Sequence, residues 1–87
     1  LATKQELVTH KEVYDRAQAV YQERDAVREG LWKDYSARDQ LVAAKIKIDR
    51  CISLLDKRHP DADEHILSET PDIINYTIFA ERKINGE

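Results

Sequence analysis

An all-α chain is predicted: a long, coiled-coil-like antiparallel helical hairpin over residues 1–59, followed by one or two short helices in an acidic segment over residues 60–87. Three observations predict it. Glycine and proline together fill four of 87 positions while 36 % of residues are charged, a composition of helices with solvated outer faces rather than turn-rich sheet. Apolar residues recur three and four apart over two long stretches, the spacing that lines up one face of a helix. Capping signals open both stretches, and Gly30 and His59-Pro60 close them.

With 87 residues the chain holds one domain at most, and a chain this short buries only about 60 % of the surface its unfolded form exposes. Such domains usually need a disulfide, a metal or a partner. Cys51 stands alone, which excludes an intrachain disulfide and suits a reducing compartment. No run has the apolar length of a membrane span, and the first residues lack a signal-peptide pattern, so a soluble, cytoplasmic protein is expected. The chain opens on Leu1 and has no methionine, as expected of a trimmed or excised segment.

In the first element, Thr3-Lys4-Gln5-Glu6 fits a capping box and predicts a helix start nearby. Val13, Ala17, Val20, Arg24, Val27 and Leu31 then alternate spacings of four and three, the seam of a coiled coil. Tyr14 and Tyr21 flank that seam, where a ring can cover the core while its hydroxyl reaches water. Arg24 occupies a core-type position. Its guanidinium either escapes to solvent past Tyr21 or pairs with a carboxylate from another helix, and such a residue can fix register.

The seam fails after Gly30, because its continuation would place Asp34 and Arg38 in the core. Two readings account for this. Either Gly30 ends the first helix in a left-handed cap and Ser36-Ala37-Arg38-Asp39 caps a second, or the helix runs through Gly30 and the heptad merely slips. The coincidence of stop, start and frame shift favours the hairpin.

The second helix, expected from about Ala37 to Arg58, is the centre of the chain. Leu41, Ala44, Ile48, Cys51, Ile52 and Leu55 form one stripe, while Val42, Ile46 and Leu54 lie well off it. A helix apolar on two sides calls for neighbours on two sides. Beyond His59-Pro60, Asp61 with Glu64 and Thr70 with Pro71 are two further start signals. Residues 72–80 alternate as a strand would, but with no second strand in the chain to pair with, they are read as helix, with a strand paired to another copy as the alternative.

Charge is uneven. Residues 30–59 carry seven basic and four acidic side chains, and residues 60–87 two and seven. The tail is therefore expected to fold back on the middle, of its own chain or of a neighbouring copy.

Catalytic signals are absent. The cluster from His59 to His65 matches neither a zinc signature nor a calcium loop, and its acids suit a helix start. Cys51 sits on the apolar stripe without an adjacent base. There is no glycine-rich phosphate loop and no nucleophile elbow. No catalytic residue, metal or cofactor is expected. The expected role is protein–protein interaction: an oligomerisation module binding copies of itself or a helical partner, with Val13, Val20, Arg24, Val27, Leu31, Leu41, Ile48, Ile52 and Leu55 as the interface. The alternative is a nucleic-acid-associated regulator in which Arg38, Lys45, Lys47, Arg50, Lys57 and Arg58 contact phosphate and Trp32 or Tyr35 stacks on a base.

Overall fold

A computed structural model describes residues 8–86. These form three α-helices and no strand: α1 (His10–Arg28), α2 (Ala37–Asp56) and α3 (Ala62–Ile84), with a single 3-10 turn at Leu31–Asp34 between α1 and α2. None of the helices is long and apolar enough to cross a membrane.

The start of α1 is set by Thr9, whose hydroxyl accepts from the Glu12 backbone N–H at 3.1 Å while the Glu12 carboxylate accepts from the Thr9 N–H at 3.2 Å. The Thr3–Glu6 box lies outside the described residues. α1 stops where the sequence says it should. Glu29 and Gly30 take φ values of 50° and 76°, a left-handed pair that turns the chain out of the helix, and the Asp25 carboxylate accepts the Gly30 N–H at 2.8 Å. Ser36 and Asp39 then cap α2 reciprocally, at 3.0 and 3.1 Å. The helix does not run through Gly30.

α2 ends two residues before the expected Arg58. His59 N–H donates to Leu54 O and Arg58 N–H to Leu55 O, both at 3.0 Å, with Arg58 left-handed at φ 53°. This is a Schellman cap built without glycine. Lys57 and Arg58 thus form the cap rather than the last turn.

The tail differs from expectation. In place of one or two short helices there is a single helix of 23 residues running straight through Pro71. Proline inside a helix costs about 3 kcal/mol and should have broken it. The Thr70 hydroxyl, expected as a cap, instead donates to the Ile66 carbonyl at 2.8 Å. Tertiary contact outweighs the local cost: Pro71 is buried, and the buried Glu69 and Asp72 on either side of it are tied to cations of the other two helices.

This long helix also changes the packing. The close antiparallel pair is α2 with α3; α3 packs on α1 with its neighbouring face, while α1 and α2 hardly touch. The seam of α1 therefore meets α3 and not α2. Asn75 of α3 donates to the Ala17 carbonyl of α1 at 3.0 Å, and Phe79 meets Tyr21 edge-on with 5.6 Å between centroids. Trp32, in the connecting turn, stacks on Phe79 at 4.4 Å with Arg82 over its ring at 4.7 Å, and so pins the turn to the end of α3. Its indole N–H is buried without an acceptor among the described residues.

The buried apolar side chains are mostly small: Ala17, Ala44, Cys51, Ala62 and Ala80, with Trp32 the large one. Small residues let the helices approach closely but remove little apolar area from water. Most of the large aliphatics of α2 stay outside.

Candidate functional site

Three features of this fold can do chemical or physical work: an ionic junction inside it, a groove on one side of α2 and an apolar stripe on the other.

The junction forms because α3 presents two carboxylates one turn apart toward both neighbours. Arg24 of α1 donates to Asp72, so the core-type arginine finds a carboxylate on another helix while its side chain stays half-exposed. Lys47 of α2 lies 2.8 Å from Glu69 and 3.4 Å from Asp72. Arg50 and His65 approach the second Glu69 oxygen at 3.6 and 3.4 Å. The hydrogen bond from Lys47 holds the Glu69 carboxyl below the ordinary carboxylate range, and the same bond raises Lys47 above the ordinary lysine value. Charges from three helices are thus drawn together over α3. A closed cluster of this kind, with every carboxylate engaged by a cation, fixes how the helices sit and leaves no ligand set for a metal. Among the described residues no group of three or more histidines, cysteines and carboxylates is placed to hold one.

The groove lies where α1 and α2 diverge, floored by Asn75, Tyr76 and Phe79 of α3, with a volume of about 590 Å³. Val42 and Ile46, the off-stripe residues of α2, line it. Leu54, the third, is half-buried.

On the opposite side, roughly a quarter-turn around α2 from its contact with α3, Leu41, Ile48, Ile52 and Leu55 are 40–50 % exposed. Their spacings of seven, four and three make a continuous stripe. Ile66 and Ile73 of α3 fall on the same side of the helix pair by their register, and both are half-buried.

The predicted interface residues therefore fall into separate groups. Leu41, Ile48, Ile52 and Leu55 come together on this outer stripe. Val13 and Val20 are half-buried on α1, beside its contact with α3, and Arg24 is in the junction. Val27 points away from the fold, 81 % exposed, and Leu31 lies at the groove, 47 % exposed. No single surface contains all nine. Of the basic residues in the nucleic-acid alternative, Lys47 and Arg50 are engaged by Glu69, and Lys45 pairs with Asp49 at 2.7 Å.

Sequence reasoning missed Glu69, Asp72 and Asn75, which organise the interior, because it placed a helix start between them. One signal was available: Glu69, Asp72, Tyr76 and Phe79 recur at three and four across Pro71, the periodicity of one uninterrupted helix.

Comparison with protein-family models, with curated proteins and with solved structures finds no match to this chain.

Proposed function

We propose that this chain is a non-catalytic self-association module in which the outer stripe of α2 packs against the same stripe of a second copy. The observation that carries the reading is that stripe: four large aliphatics at coiled-coil spacing, half-exposed on a helix already packed on its neighbouring face. One feature favours a second copy as occupant: an antiparallel helix pair with one apolar side is half of a four-helix bundle, and a two-fold axis completes it. The expected setting is a reducing, cytoplasmic one, in keeping with the lone buried Cys51.

The magnitudes favour a modest dimer. Burying the remaining half of each stripe residue contributes about 1 kcal/mol, so both copies together supply roughly 8 kcal/mol before the cost of association. Subtracting an association cost of at least about 4 kcal/mol leaves about 4 kcal/mol, so the dissociation constant should lie near millimolar.

The test is light scattering across a concentration series spanning about 10 µM to 1 mM, on the parent chain and on Ile48→Asp. The parent should move from monomer toward dimer mass. The variant should stay monomeric with unchanged far-UV circular dichroism, because Ile48 lies outside the core. A parent that is monomeric throughout, or a variant that still doubles in mass, overturns the proposal. Phosphate contact is the weaker reading, since Lys45, Lys47 and Arg50 already have carboxylate partners; it would reveal itself as nucleic-acid affinity that falls steeply with salt.

A further inference from the structure

The groove between α1 and α2 is on the other side of the molecule from the proposed dimer surface, and its chemistry is different. Three arginines, Arg24, Arg28 and Arg38, and three aspartates, Asp25, Asp39 and Asp72, line it. Formal charge cancels, and Asp25 and Asp39 keep their charge beside the arginines, but the two sets differ in how far their hydrogen-bonding groups are already committed. Asp25 accepts the Gly30 N–H at 2.8 Å, Asp39 accepts the Ser36 N–H at 3.1 Å, and Asp72 is held by Arg24 and Lys47. Among the described residues, by contrast, Arg28 and Arg38 make no ion pair or hydrogen bond. The groove therefore offers two uncommitted guanidinium groups, whose planar forks suit phosphate and carboxylate oxygens.

Its rings divide in the same way. Trp32 is already covered by Phe79 and Arg82, and Tyr21 is set against Phe79. Tyr35 and Tyr76 also line the groove and have no aromatic partner among the described residues. Val42, Ile46 and Leu31 supply apolar wall between them. A volume of about 590 Å³ falls in the range of small-molecule sites, which combine apolar walls with a few convergent polar groups.

From these observations we infer that the groove binds a flat aromatic molecule carrying an anionic group, the ring lying among Tyr35, Tyr76 and the aliphatic wall and the anion reaching Arg28 and Arg38. Nucleoside monophosphates and aromatic carboxylates share this chemistry, and titration separates them. The intact chain is titrated with adenosine monophosphate, 2-naphthoate, adenosine and inorganic phosphate, followed by calorimetry. At least one of the two aromatic anions should saturate, and it should bind about tenfold or more tightly than adenosine or phosphate alone, because ring and charge are both used. Tighter binding of the monophosphate assigns the anion as phosphate, and tighter binding of naphthoate as carboxylate.

The double substitution Arg28→Gln and Arg38→Gln should weaken binding at least about tenfold with helix content unchanged, since both side chains are exposed and unpaired. Ile48→Asp should bind as the parent does, which keeps this result separate from the dimer's. The inference is overturned if neither aromatic anion saturates at millimolar concentration, if adenosine binds as tightly as its monophosphate and naphthoate does not bind, or if the double variant retains parental affinity.

Discussion

Replacing Lys47 with methionine keeps the stem of the side chain and deletes the ammonium at the middle of the ionic junction. Glu69, its side chain 12 % exposed, loses a donor at 2.8 Å, and Asp72 loses a partner at 3.4 Å. Removing one member of a buried ion pair costs about 3–5 kcal/mol, because the other charge stays behind without compensation. Here Arg50 remains near Glu69 and Arg24 remains on Asp72, so the cost falls to the bottom of that range or just below it, about 2–3 kcal/mol. Urea unfolding followed by far-UV circular dichroism and by Trp32 emission measures this. With a slope of about 1 kcal/mol per molar for a small domain, the midpoint should fall by about 2–3 M. Adding Glu69→Met to Lys47→Met should recover part of the loss, since an apolar pair of similar size carries no stranded charge. A single variant that melts with the parent, or a double variant less stable than Lys47→Met alone, would refute the view that the junction holds the helices together.

The same pair sets the pH response. Because the carboxyl of Glu69 is held below its ordinary value of 4.5, its contribution is complete above that value and disappears as pH falls through the lowered one; acid titration of the urea midpoint should show this, and Glu69→Gln should flatten it. Lys47, raised above 10.5, contributes fully below that pH and loses its contribution only in more alkaline solution. Gly30→Ala should cost about 1 kcal/mol in the same unfolding assay. The new methyl group would meet only the Lys33 side chain, at 3.8 Å, so that cost belongs to the left-handed backbone alone, and Gly30→Asn should recover part of it. Asn75→Ala should cost about 1–2 kcal/mol and raise hydrogen exchange in α1 more than in α2, because it removes the bond to the Ala17 carbonyl. Equal exchange in both helices would show that this bond does not anchor α1.

What could be read in advance was what depends on neighbours in sequence. Gly30, the Ser36 and Asp39 capping box and the three-and-four spacing of Leu41 to Leu55 are local signals, and the helices they delimit are the ones observed. Arg24 posed a question that only a carboxylate from elsewhere could answer, and Asp72 is 48 positions away. α3 was misjudged for the opposite reason. Thr70-Pro71 is a strong local break, and only the cations of α1 and α2 make an unbroken helix the better solution. Arg58 closes α2 in a left-handed conformation that no glycine announces. The groove could not be anticipated, since its walls come from positions as far apart as Tyr21 and Phe79 and exist only where two helices fail to meet.

Because α1 and α2 are joined almost solely through α3, the order of synthesis matters. A nascent chain stopped after α2 would own two amphipathic helices with no common partner, and nothing in it could consolidate. Both earlier helices must wait for α3 to leave the ribosome before they can settle into their native arrangement. Cutting α3 before Glu69 should release both earlier helices together, because Glu69, Asp72, Asn75 and Phe79 all lie beyond that point.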